Sequence, residues 1–562
     1  MASTVHLVLA LVVVHTCVRV DSHNRTSELS TEHHNNENGT VMTDPYESRR
    51  LKMISREKPV DVDSINNLTK IQNQLMRIYS NATICAFSRS GNGDIKRNCT
   101  VRWHLRPEIE NFFDENKDYE LRAHAWTAWK NVFSGKTVKS LYEQLVELAN
   151  NVSRQRGFSN SGAQWRDVYE WDVEDYNLKD DFYRLWQQVL PLYEELHTYM
   201  RKQLRHIYPE NVMLKENNAL PESMLSTELL ANITAPHQDE PDVDVTDEMK
   251  RQNYTVLRMV EMADSFFQSL GLMPMPDDFY NCSMMERPSG GQKTVCHPSA
   301  ALMSDRGCLI MCGQINLRDF EAIHHELGHI QYAMHYANLS ALFHDGANPA
   351  FHEAVGDAIG KAVSTPAHLK SIGLLHNEPT DRQQINFLYR QAMEKIFIIP
   401  RAYMIDKWST LLEFAFYKAM CDAAGHTGPL HECDFTGSKA AGEKLASMMR
   451  LGSSRPWPEL LKMVTGSERI SADPIFEYFQ PLINWLKAAG EKLASMMRLG
   501  SSRPWPEVLK MVTGSERISA EPMIEYFQPL MEWLKKENKG ECYCWGYEWS
   551  FVGNLSQPRC PN

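Results

Sequence analysis

The sequence has little that would suit a membrane-spanning or nucleic-acid-binding protein. After the first twenty residues no segment holds about 18 consecutive apolar residues, so we expect no transmembrane anchor. The 562 residues include 59 basic and 71 acidic side chains, a net charge of −12, without a basic block, which argues against nucleic acid as a partner. Alternating strand patterns are also rare, with residues 293–296 and 307–315 the best candidates for a small hairpin. The expected fold class is therefore mainly α.

The N-terminal segment predicts export. Residues 7–14 form an uninterrupted apolar run that is too short to cross a bilayer, and the chain turns polar at Asp21. This pattern is typical of a secretory signal peptide, which we place at residues 1–20, and it predicts a secreted, extracellular protein. Residues 21–60 are rich in Ser, His, Asn, Glu and Thr and poor in large apolar groups. We expect them to form a flexible tail.

Glycosylation signals and cysteines fit the same compartment. Asn-x-Ser/Thr sequons recur along the chain, and we expect glycans at Asn67, Asn81, Asn98, Asn151, Asn232, Asn253 and Asn338. Close spacing predicts three local disulfides, which join Cys85 to Cys99, Cys296 to Cys312, and Cys421 to Cys433. The pairing of the remaining cysteines of the mature chain stays open: Cys282, Cys308, Cys542, Cys544 and Cys560.

The C-terminal part contains a tandem duplication. Residues 439–486 and 487–534 are copies that differ at six positions. Solenoid repeats usually number at least three and diverge further. We therefore interpret the pair as a duplicated exon, retained in the protein or joined by a gene model, without an architectural purpose of its own. The body of the protein is expected over residues 61–535, followed by a cysteine-containing tail at 536–562.

The strongest motif is H-E-L-G-H at residues 325–329, on a predicted helix that Asn316 can cap. Residues four apart share one face of a helix, so His325 and His329 can meet one cation with Glu326 beside them. Zinc hydrolases need this arrangement, because neutral imidazoles hold the metal while a carboxylate takes the proton of the attacking water. Such a string arises by chance in about one chain in twenty. Two histidines on an ordinary amphipathic helix therefore remain the alternative interpretation.

A second motif, residues 348–357, completes a donor set. Asn348 is a good N-cap and Pro349 suits the first helical position, so a new helix is predicted to begin here. Glu353 on this helix can be a third, anionic ligand that leaves a fourth coordination position open. Asp357 lies one turn further along the same face. The Asp357 carboxylate is suited to accept a hydrogen bond from the free ring N–H of a zinc-bound histidine. This bond would fix the tautomer of the histidine.

These motifs resemble the angiotensin-converting enzyme family of secreted peptidyl dipeptidases. Beyond HHELGH and GANPAFHEAVGD, the resemblance rests on CHPSA, GPLHEC and GSSRPW at residues 296–300, 428–433 and 452–457, and it covers about residues 60–535. It implies a two-lobed helical body around a deep central channel, with a very small β element near the zinc helix. It also implies removal of C-terminal dipeptides from oligopeptides, and activation by chloride.

The resemblance also assigns roles to individual residues. It implies that His325, His329 and Glu353 hold one Zn²⁺ per chain and that Glu326 is the catalytic base for attack by the zinc-bound water. Asp357 is then the outer hydrogen-bond partner of a ligand. A further residue, His297, is expected to contact the substrate.

Two gaps in the resemblance predict impaired catalysis. After residue 225, a segment that helps the family hold the substrate's terminal carboxylate has no counterpart. After Trp408, a longer missing stretch carries the histidine and tyrosine that stabilise the tetrahedral intermediate, the lysine and second tyrosine that bind the carboxylate, and chloride-binding arginines. One oxyanion donor is worth about 3–4 kcal/mol of transition-state stabilisation. Three interpretations stay open: a peptidase represented by an incomplete isoform or gene model, a non-catalytic zinc- or peptide-binding member, and a misfolded product.

Overall fold

The computed structural model describes residues 44–488, apart from 57, 134–135, 172, 174–175, 209–221, 225, 241–242, 290–293, 295, 303–306 and 398–406. The predicted signal peptide, the first part of the predicted tail, nearly all of the second repeat copy and the cysteine-containing tail lie outside the described residues. Within the described part the protein is mainly α-helical, as predicted. None of the helices formed by the described residues combines the length and the apolar character that crossing a bilayer requires.

Helices make up most of the described part of the chain. In chain order they are α1 Pro45–Arg56, α2 Val62–Asn81, α3 Glu110–Glu115, α4 Tyr119–Phe133, α5 Lys136–Gln155, α6 Ser161–Glu170, α7 Leu178–Ile207, α8 Thr227–Ile233, α9 Thr246–Arg251, α10 Val256–Ser269, α11 Asp277–Cys282, α12 Leu317–Tyr336, α13 Pro349–Ser364, α14 Pro366–Ser371, α15 Asp381–Lys395, α16 Lys407–Ala423, α17 Lys439–Met449, α18 Trp457–Thr465, α19 Asp473–Tyr478 and α20 Gln480–Ala488. Many begin at a side chain that caps the first turn, as Thr380 does for α15 in a reciprocal capping box.

Two antiparallel hairpins supply the strands of the described part. The first joins β1 (Thr83–Arg89) to β2 (Ile95–His104), and the second joins β3 (Ser299–Leu302) to β4 (Gly307–Ile310). The sequence predicts the second hairpin from residues 293–296 and 307–315. The structure instead begins its first strand at Ser299, and residues 293 and 295 of the predicted strand lie outside the described residues. The first hairpin was not predicted because almost all of β2 is exposed, so it lacks an alternating apolar face.

The expectation of a flexible tail over residues 21–60 is wrong for its last part, which forms α1. Arg49 in this helix is buried and donates a hydrogen bond to the carbonyl oxygen of Ser453 at 2.7 Å. The guanidinium groups of Arg49 and Arg56 lie 4.7 and 4.6 Å from the centre of the Trp171 ring. A polar composition hides such anchors, because arginine binds through its charge and its planar face rather than through apolar area.

The main core surrounds α12 and α13, which pack against each other. A Cβ atom at Gly328 of α12 would lie 3.1 Å from the Cα atom of Gly356 in α13, a tight contact that would move the two backbones apart by a few tenths of an ångström. α16 packs against the other side of α13. The first repeat copy provides α17 to α20, whose apolar side chains belong to the same core, and the compact unit ends at Leu486, where that copy ends.

Four disulfides cross-link this body. The structure joins the three predicted pairs, Cys85–Cys99, Cys296–Cys312 and Cys421–Cys433, and adds Cys282–Cys308, a pairing that the sequence left open. Cys282–Cys308 joins β4 to the end of α11, and Cys296–Cys312 joins the two flanks of the β3–β4 hairpin, which packs against α12. They therefore hold in place the small β element predicted near the metal-binding helix.

Candidate metal centre

Three potential ligand side chains converge between α12 and α13. One ligand atom from each of His325, His329 and Glu353 lies within 4.8 Å of the other two. The two Nε2 atoms are 3.0 Å apart, and they lie 3.5 and 3.9 Å from the carboxylate oxygens of Glu353. Four ligands at about 2.0–2.1 Å around a tetrahedral zinc are separated from one another by about 3.4 Å. The donor set and its spacing therefore fit a zinc ion.

Local sequence explains why these ligands meet. The side chain of Asn316 accepts a hydrogen bond from the backbone N–H of Asp319 and caps α12, and Asn348 caps α13 in the same way. The apolar stripe of α12 is buried, which turns the opposite face, with both histidines, toward α13. Both helices begin where the sequence predicts.

The cluster is closed toward the core and open on one side. The side chains of His325 and His329 are 19% and 12% exposed, whereas that of Glu353 is 48% exposed. Glu326, the neighbour of His325 in the sequence, is buried at 8% exposure. The exposed side at Glu353 leaves a solvent-facing position for a water molecule or a substrate. The charge of Glu326 contributes to raising the pKa of His325.

Electrostatics favour a cation at this position. Burial would lower the pKa of the His325 imidazole, but its contacts with Asp357 and Glu353 outweigh burial and raise that pKa well above its usual value. Burial would raise the pKa of the Glu353 carboxyl, but the positive charges of His329 and His325 lower it to about 2. The site therefore stabilises positive charge. A metal ion that binds there must displace the proton of His325.

Asp357 lies where the sequence places the outer partner of a ligand. The Nδ1–H of His325 donates to Oδ1 of Asp357 at 3.2 Å, which leaves Nε2 of the same ring facing Glu353. The amino group of Lys395 outweighs burial and holds the pKa of the Asp357 carboxyl well below its usual range. This carboxylate is ionised at neutral pH and can fix the tautomer of His325.

The ring of His329 has a partner in His352, which the sequence favours as a structural residue or an outer partner of the ligands rather than as a ligand. Nδ1 of His352 lies 3.3 Å from Nδ1 of His329, and the Tyr336 hydroxyl lies 3.4 Å from Nε2 of His352. Burial lowers the pKa of His352 to about 3, so this ring is neutral at physiological pH. Its position immediately before Glu353 was the available signal, because that places it on the same turn of α13.

The remaining sequence-predicted residues are the substrate contact His297 and the glycosylation sites. His297 immediately precedes the Pro298–Ser299 step into β3, and β3 packs along α12. Six of the seven predicted glycosylation sites are exposed, and the seventh, Asn151, is half-buried. Their accessibility suits attachment of glycans, while glycosylation itself stays a prediction.

Comparison with known proteins gives the same family as the motifs. The model of the M2 peptidase family, described as angiotensin-converting enzyme, matches residues 14–410, 409–489 and 487–547. The boundaries between these segments fall beside two features of the sequence. One is the position after Trp408 where a stretch is missing from the resemblance, and the other is the junction of the two repeat copies.

Individual relatives agree with this match. The chain is 36% identical over 450 residues to the angiotensin-converting enzyme of Mus musculus, with 68% of this chain and 34% of that protein covered. It is 35% identical over 477 residues to the Bos taurus enzyme, covering 73% and 35%. It is 31% identical over 512 residues to the Theromyzon tessulatum enzyme, covering 79% and 81%. The chain thus spans about a third of the length of these mammalian relatives, and it belongs to the angiotensin-converting enzyme family of metallopeptidases.

Proposed function

We propose that this protein is a secreted zinc metallopeptidase that removes C-terminal dipeptides from oligopeptides. The observation that carries the proposal is the convergence of His325, His329 and Glu353 around a solvent-open position, in a chain of this family. The exposed sequons, the four disulfides and the apolar N-terminal segment support secretion.

The chain's own residues divide the chemistry among them. When bound, zinc supplies Lewis-acid polarisation of the peptide carbonyl and of the attacking water. Neutral His325 and His329 and ionised Glu353 hold the ion, and their charges sum to minus one, so the loaded site keeps one positive charge. Glu326 takes a proton from the attacking water on its carboxylate and returns it to the leaving amine nitrogen. A positioned acid–base group of this kind contributes typically about 100- to 10,000-fold in rate.

A second candidate function is zinc-dependent peptide binding with little hydrolysis. It is favoured by the boundary in the family match at residues 409–410, which coincides with the predicted loss of groups that stabilise the oxyanion and clamp the terminal carboxylate. The retained residues begin the reaction, whereas the missing ones act on the later intermediate. A protein with this function would therefore keep the metal site but hydrolyse peptides slowly.

The test combines metal content with peptide hydrolysis on the secreted full-length protein. We expect one zinc per chain and release of a dipeptide from a blocked tripeptide. Glu326→Gln should lower kcat/KM at least about 100-fold while zinc content stays unchanged. The matched control is Glu378→Gln, since the Glu378 side chain is 74% exposed, and it should leave both measurements unchanged.

The outcomes separate the two functions. One zinc per chain without detectable dipeptide release favours the binding protein. Folded protein that takes up no zinc contradicts both candidates.

A further inference from the structure

Behind the metal cluster, charged side chains form a continuous series of ion pairs that leads into the core. Nζ of Lys395 lies 3.2 Å from Oδ1 of Asp357 and 3.3 Å from Oε2 of Glu413. The other carboxylate oxygen of Glu413 lies 2.9 Å from Nζ of Lys361. We call these four residues the charge series. It is connected to the cluster through the contact between Asp357 and His325.

The inner end of the series is almost completely removed from water. The side chains of Lys361 and Glu413 are 1% and 0% exposed. An unpaired charge is strongly unfavourable in such surroundings, so each charge must be balanced by its neighbours. Two anions and two cations alternate along the series, and their charges sum to zero. Lys361 also lies 4.3 Å from the ring centre of Phe414 and 4.8 Å from that of Tyr478, and both aromatic faces favour a cation.

Three helices contribute to the series, so its geometry is fixed by packing rather than by one flexible loop. Asp357 and Lys361 lie on successive turns of α13, in register with the ligand Glu353. Lys395 is the last residue of α15, and Glu413 lies within α16. Because Lys395 contacts carboxylates on both α13 and α16, its amino group is held between them.

The same oxygen of Asp357 faces both the imidazole and the lysine. Oδ1 lies 3.2 Å from Nδ1 of His325 and 3.2 Å from Nζ of Lys395. A carboxylate with a single partner can rotate about its side-chain torsions, whereas one fixed between an imidazole N–H and a held ammonium group cannot do so without losing a contact. The lysine therefore determines where this oxygen lies, and the oxygen determines the orientation of the His325 ring.

We propose that Lys395, anchored by Glu413 and Lys361, is a positioning residue of the metal centre: it holds Asp357 against His325 and so keeps Nε2 of His325 directed at the metal. This inference rests on the proposed zinc site. It extends the site beyond Asp357 to three residues on three helices, none of which contacts the metal position.

The test measures zinc affinity in the full chain by competition with a chelator. Lys395→Met preserves the length and apolar stem of the side chain but removes its charge. We expect the Kd for zinc to rise about 10- to 100-fold, as it does when outer partners of zinc ligands are removed. The visible absorption bands of the Co²⁺-substituted protein should also shift, because the His325 ring is free to tilt. Lys370→Met, at a lysine whose side chain is 43% exposed, is the matched control and should change neither readout.

A second variant keeps the test decisive if Lys395→Met does not fold. The double variant Lys361→Met/Glu413→Leu replaces a buried ion pair with apolar groups, an exchange that proteins often tolerate. It removes the anchor of Lys395 without leaving an unpaired charge there, and the Kd for zinc should rise about threefold or more.

The inference and the proposed function can fail separately. If Lys395→Met folds with the wild-type zinc Kd and cobalt spectrum, Lys395 only tethers helices and the inference is wrong. If Lys395→Met does not fold, an unchanged Kd and spectrum in the double variant overturn the inference in the same way. Wild-type protein that binds no zinc would instead overturn the proposed zinc site itself.

Discussion

Nδ1 of His325 lies 3.2 Å from Oδ1 of Asp357, and Gly356 makes this contact possible. A Cβ atom at position 356 would lie 2.8 Å from the same nitrogen and 2.9 Å from the backbone oxygen of His325. The absence of a side chain at Gly356 of α13 therefore allows the next residue, Asp357, to reach the His325 ring. Close packing of the two helices and orientation of the His325 ring depend on the same glycine.

Replacing this glycine should damage the site. Gly356→Ala forces the His325 ring or the α12 backbone to move, and overpacking of this kind typically lowers the free energy of unfolding by about 1–3 kcal/mol. Zinc affinity should fall as well. Urea unfolding with and without zinc measures both effects.

The same helix offers a control for this substitution. A Cβ atom at Gly360 would meet its nearest neighbour, the backbone oxygen of Glu321, at an ordinary 3.6 Å. Gly360→Ala should therefore be neutral or stabilise the protein by up to about 1 kcal/mol through helix propensity. Equal effects of the two alanines would show that the close approach at Gly356 is unimportant.

The ion pair of Lys361 and Glu413 should show strong thermodynamic coupling. Lys361→Met or Glu413→Leu alone leaves a buried charge short of a partner and should lower the free energy of unfolding by about 3–5 kcal/mol. The double variant should lose less than either single one, because no uncompensated charge remains. A double-mutant cycle by chemical denaturation measures the coupling. Additive losses would contradict the pairing.

Acid should destabilise the fold partly through His431, which is 3% exposed. Burial lowers the pKa of His431 to about 4 from 6.5. Between these values the unfolded chain binds more protons than the folded one, so this contribution to stability is complete above about pH 6.5 and is lost as the pH falls toward 4. At pH 5 the loss should be about 1–2 kcal/mol.

A pair of histidine variants checks this pH effect. His431→Gln should reduce the difference in unfolding free energy between pH 7 and pH 5. His376→Gln should not reduce it, because the His376 side chain is 64% exposed. If both variants keep the wild-type difference, His431 does not titrate as described.

The gap after Trp408 predicts a large loss of rate. Under the proposed function the chain keeps the groups that activate water, and the resemblance implies that it lacks the oxyanion donors and the carboxylate clamp. We expect kcat/KM for a blocked tripeptide to be at least about 1,000-fold below that of a chain with the family's segment restored. The remaining activity should not respond to chloride. Near-equal values for the two chains would show that other residues replace the missing groups.

The sequence was sufficient for the parts of the site that depend on local structure. Helical spacing brings His325 and His329 to one face, and the caps Asn316 and Asn348 define where both helices begin. The place of Glu353 on the second helix predicts that its carboxylate joins the two histidines. Each of these inferences needs only a few consecutive residues, which is why the structure places them as predicted.

Contacts between distant segments could not be predicted in the same way. Lys361, Lys395 and Glu413 look like ordinary surface charges of amphipathic helices, and only packing of α13, α15 and α16 shows that they face one another. The pairing of Cys282 with Cys308 likewise depends on where α11 lies beside β4. The burial of Arg49 was not predicted, because α1 is polar and lacks the apolar periodicity that would indicate a buried face.

The most direct test of the metal site is zinc X-ray absorption on the purified, metal-loaded chain. We expect one zinc per chain, with two imidazole nitrogens at about 2.0–2.1 Å, a carboxylate oxygen at about 2.0–2.2 Å and no sulfur. His325→Ala, His329→Ala and Glu353→Ala should each remove one of these ligands and weaken binding. Sulfur neighbours at about 2.3 Å, or a spectrum that none of the three substitutions changes, would contradict the assignment of the metal to this cluster.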